Sequence, residues 1–181
     1  LEHIAPTFEF MQTVRRAIGD RTETLVFFEV PDILRVLREG AFWDIYYEHC
    51  SYFSEGSLAR LFSATGFAVD ELYLDYDRQY IILTAYPVAG PKQAAYKPPN
   101  DLKDITDACY KFPEICAEKI SRWHRTILDA HSAGRHTVIW GSGSKGVAFL
   151  TTLGLDQAVV EYVVDINPYK HGKFMPGTGQ K

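Results

Sequence analysis

Between Thr137 and Asp165 the chain reads strand, glycine turn, helix, strand, and that order leaves little topological freedom. Thr137 to Trp140 is a short β-forming run. Gly141-Ser-Gly143-Ser-Lys-Gly146 follows at once, Lys145 to Leu153 has helical spacing, and Val159 to Asp165 is β-forming again. Two strands joined through a helix rather than a tight hairpin run parallel, so this is a βαβ unit. The turn fits G-x-G-x-x-G after a strand and opening a helix, and Asp165 stands nineteen positions beyond Gly146, where an acidic residue meets a ribose hydroxyl. Glycines let backbone approach a pyrophosphate, a helix N-terminus favours negative charge, and Lys145 adds a point charge. From the residues alone, Gly141, Gly143, Ser144 and Lys145 are candidate ligand contacts and a nicotinamide cofactor is the first reading. The alternative is a turn that needs glycine only for tightness.

Upstream, Pro6 suits a first helical turn, and Phe10, Met11, Val14, Ala17 and Ile18 recur at helical spacing before Gly19. The apolar run Thr24 to Val30, bounded by Pro31, reads as a buried strand of a parallel sheet. Short helices are expected over Ile33 to Leu37 and Ser57 to Thr65, the latter stopped by Gly66. Phe67 to Tyr73 and Gln79 to Tyr86 form an antiparallel pair about a turn at Asp77. Residues 87–100 carry four of the nine prolines and read as a linker. Beyond it, Asp101 to Ala133 is helical, with Pro113 expected to kink or split it. The fold class is therefore α/β, with an antiparallel sheet edge, then helices, then the βαβ unit. Two domains are expected, residues 1–88 and 89–181.

Composition removes several functions. The net charge of -4 argues against a nucleic-acid binder held by phosphate contacts. No apolar run reaches the roughly 18 residues that span a bilayer. Three cysteines at spacings that match neither zinc nor disulfide patterns point to a reducing, cytoplasmic setting and give no metal site. Cys109 and Cys116, seven apart on one helical face, are expected in the core; His124, His131 and His136 are expected at the surface. The chain opens on Leu1 directly before a helix and stops after a strand-and-turn pattern, so both ends read as cut from a longer protein.

The segment from Phe42 to Ser54 packs six aromatic side chains beside Asp44, Glu48, His49, Ser51 and Ser54. Aromatic walls with a few convergent polar groups build small-molecule pockets. Histidine beside a carboxylate is a natural base near neutral pH. On a regular strand Glu48 and His49 would face opposite ways, so a shared site needs irregular backbone here. An aromatic loop packed on a sheet with His49 exposed is the other reading. His3, next to Glu2, sits where ligands collect at strand ends.

Leu1-Glu-His-Ile4, Phe28-Glu-Val-Pro-Asp32, Tyr46-x-Glu48-His49 with Ser51-Tyr-Phe-Ser54, Trp140-Gly-Ser-Gly-Ser-Lys-Gly146, Val163-Val-Asp-Ile-Asn-Pro168, Lys170-His-Gly172 and Pro176-Gly-Thr-Gly179 together resemble the C-methyltransferases of nucleotide-linked deoxysugar biosynthesis. The resemblance runs over nearly the whole chain. It implies the end of a class I methyltransferase sheet followed by the start of a C-terminal Rossmann-like domain. It also implies that a zinc-binding N-terminal domain and the glycine-rich loop for S-adenosylmethionine lie upstream of Leu1. By the same resemblance His49 is the base, Glu48, Tyr46 and His3 are its active-site neighbours, and Tyr52 contacts substrate. A nucleotide-sugar phosphate then replaces NAD as the expected neighbour of the Gly141–Gly146 turn. The chain departs from better-known sugar enzymes at Arg78-Gln-Tyr80, where a glycine-rich turn is usual, which leaves the sugar open.

Overall fold

The computed structural model describes residues 1–88 and 96–181, and the proline-rich linker expected over 87–100 lies partly outside them. The chain divides into two compact units. One comprises Leu1–Leu37 and Tyr47–Tyr110; the other comprises Arg38–Tyr46 and Lys111–Lys181.

The first unit is an antiparallel sheet covered on one face by two helices. Helix α1 (Thr7–Ile18) starts after Pro6, buries Met11 and Ile18, and ends at Gly19. Strand β1 (Val26–Pro31) leads into α2 (Ile33–Glu39), and the Asp32 carboxylate accepts the first-turn N–H groups of Leu34 and Arg35 at 3.2 and 3.1 Å. Helix α3 (Glu55–Ala64) begins in a capping box, with Ser54 and Ser57 each bonding the other's backbone N–H. Strands β2 (Phe67–Asp75) and β3 (Tyr80–Pro87) pair antiparallel as expected. Between them Tyr76, Asp77 and Arg78 all take positive φ.

Strand β1 does not run parallel to a neighbour. It pairs antiparallel with β3, in the order β1-β3-β2, and its exposure alternates. Phe27 is 60% exposed while Val30 is fully buried. Among the described residues this apolar run thus belongs to an antiparallel sheet and is covered on one face.

The register of β2 shifts between Val69 and Glu71. Before the shift Phe67 and Val69 face the helices; after it Leu72 and Leu74 do. A bulge inserts one unpaired residue and flips the parity of everything beyond it, so both pairs reach one core. That core joins Met11, Leu58 and Phe62 to Val30, Ile81, Leu83 and Ala85.

Helix α4 (Leu102–Ser132) runs unbroken through Pro113, so the expected kink does not divide it. The chain passes from the first unit to the second between Tyr110 and Lys111, within one turn of that proline. Cys109 is exposed rather than in the core, and Cys116 is only partly covered. In the second unit β4 (Val138–Trp140) and β5 (Tyr162–Val164) are parallel, joined through α5 (Ser144–Leu153). Its core gathers Phe42, Ile127, Leu150, Leu153, Leu155, Val160 and Met175. Among the described residues no helix is long and apolar enough to cross a membrane.

Candidate functional site

The site in the first unit is built from two irregular segments, neither of which is a strand. The Glu2 carbonyl accepts from the backbone N–H groups of Cys50 and Ser51 at 2.8 and 3.1 Å. His3 Nδ1 reaches the Glu48 carbonyl at 2.9 Å, and Ser51 Oγ donates to the Ile4 carbonyl at 3.4 Å. These bonds fasten residues 1–4 along residues 48–51. They turn His3 towards His49, with ring centroids 5.0 Å apart and edge to face. The Tyr52 ring also meets His49, with centroids 5.8 Å apart and edge to face.

Burial then separates the candidates. His49 is 8% exposed, whereas Tyr52 is 37% exposed and forms an open wall. Tyr47 and Glu48 form a turn, so the backbone is irregular where a shared site required it. Even so, the Glu48 carboxylate points to solvent, and what Glu48 gives the cluster is its carbonyl. Tyr46, half-buried, falls in the second unit. Ser54 and Phe53 serve the fold: Ser54 caps α3, and the Phe53 carbonyl accepts from the Ile33 N–H at 2.9 Å.

Glu2 is the member that reading the sequence passed over. Its Oε1 lies 3.8 Å from His3 Nε2. The adjacency of Glu2 and His3 was the signal available in the sequence. Chain neighbours alone do not reveal a shared third partner.

In the second unit, the glycine turn has an internal logic. Gly141 has φ of 103°, and a Cβ on Gly146 would lie 2.6 Å from the Gly141 carbonyl oxygen. Gly143 caps α5 in extended backbone, and a Cβ there would meet nothing within 4 Å. Tightness thus explains the first and third glycines but not the second.

The charged groups around this turn are engaged within the protein. Asp165 accepts from the Ser142 N–H at 2.9 Å and hydroxyl, from the Asn167 N–H at 2.9 Å, and from Lys170 at 3.2 Å. The Ser142 hydroxyl and those N–H groups hold its carboxyl far below the usual range. Lys145 pairs with Asp44 at 2.7 Å, where the Asp44 side chain is 3% exposed. Phe42, two residues earlier, stacks on Phe149 of α5 with centroids 5.8 Å apart. The Asp44–Lys145 pair was not read from the sequence, because 101 residues separate its members. His124, His131 and His136 are all exposed, and His136 pairs with Glu161.

Comparison with known proteins divides the chain in a similar way. The family described as methyltransferase domain matches residues 1–72. The family described as C-methyltransferase C-terminal domain matches residues 105–180. The C-methyltransferase NovU of Streptomyces niveus is 27% identical over 184 residues, covering 97% of this chain and 43% of that protein. The chain thus spans less than half the length of that relative.

Proposed function

We propose that this member of the C-methyltransferases carries the proton-abstracting residues of an enzyme that methylates a carbon beside a ketone on a nucleotide-linked deoxysugar. The observation that carries the reading is the convergence of His49, His3, Glu2 and Tyr52 on one half-sheltered spot within the residues matched as a methyltransferase domain.

A carbon beside a ketone becomes a nucleophile only after losing a proton. The C–H electron pair moves towards the carbonyl oxygen, an enolate forms, and the proton passes to a base. His49 is that base. Imidazole is basic near neutral pH, and the low exposure of this ring keeps competing water away. The nearby Glu2 carboxylate favours the imidazolium that results. His3 and the Glu48 carbonyl that holds it complete the active-site group, and Tyr52 contacts the sugar.

S-adenosylmethionine, the donor general to methyltransferases, supplies the electrophilic methyl group when bound. Residues 1–72 do not form a glycine-rich cradle for it: Gly19, Gly40, Gly56 and Gly66 stand singly, and none joins a strand to a helix. No residue here is therefore assigned a part in methyl transfer. Gly141, Gly143, Ser144 and Lys145 are assigned to the nucleotide-sugar phosphate. The open space at Gly143 beside the N-terminus of α5 supports that reading. A dehydrogenase reading is less favoured, since the Asp165 carboxylate that would meet a ribose is engaged by Ser142 and Lys170.

The test separates proton removal from methyl transfer. In heavy water the full-length enzyme should exchange the substrate proton beside the ketone for deuterium without turnover. His49→Ala should slow that exchange by about 10²–10⁴-fold and leave cofactor affinity unchanged. Exchange within a few-fold of wild type would assign the proton to another residue.

A further inference from the structure

Glu2, His3 and His49 hold more ligating capacity than proton removal needs. Each offers one ligand atom, and those atoms all lie within 4.8 Å of one another. A backbone carbonyl can only accept, so the contact between His3 Nδ1 and the Glu48 carbonyl places the neutral ring's proton on Nδ1. Nε2 then keeps its lone pair, and it faces Glu2 Oε1 at 3.8 Å. A carbonyl holding one ring nitrogen while the other faces a carboxylate and a second imidazole is how proteins orient histidines towards a metal.

We propose that Glu2, His3 and His49 form a binding site for a divalent transition-metal ion, and that filling it blocks the base. The donor set selects the ion class. Two imidazoles with one carboxylate suit zinc and its first-row neighbours, whereas magnesium and calcium take oxygen donors. Bonds of about 2.0–2.1 Å in tetrahedral geometry put donors roughly 3.3 Å apart. The three groups therefore close by a further ångström or so on binding. His3 is free to make that movement, since its side chain is 53% exposed. The fastening of residues 1–4 to residues 48–51 keeps the backbone fixed while it does so.

A metal ion takes the same His49 lone pair that accepts the substrate proton. Occupancy and proton removal therefore exclude each other, and this inhibitory half rests on the role proposed for His49 above. The binding half does not.

Zinc titrated into the chain, followed by nuclear magnetic resonance of the six histidine rings, tests the site. The ring signals of His3 and His49 should shift together at equimolar zinc, before those of His124, His131, His136 and His171. Glu2→Gln, which keeps the backbone carbonyl that holds Cys50 and Ser51, and His3→Gln should each weaken binding by about tenfold or more. Circular dichroism matching the unsubstituted chain establishes that each variant is folded. No shift at His3 and His49, equal shifts at all six rings, or first shifts at His136 beside Glu161 would each overturn the site. In the full-length enzyme, added zinc should suppress deuterium exchange, and exchange of the enzyme into buffer without added zinc should restore it. Zinc bound at these residues with exchange unaffected would overturn the inhibitory half. The His49→Ala exchange assay decides separately whether His49 is the base.

Discussion

Asp101 illustrates what a single carboxylate does for the first unit. It is 8% exposed and accepts from the Gly56 N–H at 2.8 Å and from Arg60 at 3.3 Å. It thereby satisfies an unpaired donor at the start of α3 from the residue that precedes α4. Burial pushes its carboxyl up, but the bonds from Ser54, the Gly56 N–H and Arg60 together outweigh burial and hold it below its ordinary value. A lowered folded-state value means the stabilisation is complete above the unfolded pKa of about 3.9. It is lost as pH falls through the folded value. Asp101→Ala leaves a buried N–H without its acceptor and should destabilise the first unit by about 1–3 kcal/mol. Hydrogen exchange of the α3 amides at neutral pH measures this, and the difference from wild type should shrink as the pH is lowered past 4. Unchanged exchange would mean that water replaces the carboxylate without penalty.

Among elements, α5 and the turn before it show how one motif divides between fold and site. Lys145 neutralises a carboxylate that is 3% exposed, while the lysine itself is 45% exposed. Breaking the pair lies between the about 0–1 kcal/mol of a surface pair and the about 3–5 kcal/mol of a buried one. Lys145→Ala should therefore destabilise the second unit by roughly 2 kcal/mol. All three tryptophans, Trp43, Trp123 and Trp140, lie in that unit, so their fluorescence follows its unfolding alone. A denaturation midpoint equal to wild type would show that the pair adds nothing to stability. Any loss of nucleotide-sugar affinity in this variant must then be measured where the protein remains folded. The three-residue turn at Tyr76–Arg78 and the bulge in β2 belong to the same scale: local backbone departures that decide which side chains share a face.

For the whole molecule, the site and the glycine turn belong to different units, and residues 1–72 carry no glycine-rich cradle. This chain by itself should bind S-adenosylmethionine more weakly than micromolar. Calorimetry finding micromolar affinity, about −8 kcal/mol, would show that the remaining contacts suffice.

Elements whose signal is local were legible in the residues. The apolar spacing of α1, the antiparallel pair β2–β3 and the order β4-α5-β5 follow from propensity and periodicity, which act over a few residues. His49 as a candidate was legible too, because aromatic bulk beside titratable groups is visible in a linear stretch. The other features rest on contacts between segments far apart in the chain. An apolar run such as β1 is compatible with either strand direction until its pairing with β3 is known. Glu2 joins His49 because backbone bonds from residues 50 and 51 carry it there, and Asp44 meets Lys145 across 101 positions. Such pairings depend on how elements pack against one another. No single stretch of sequence contains both partners, so no local pattern records them.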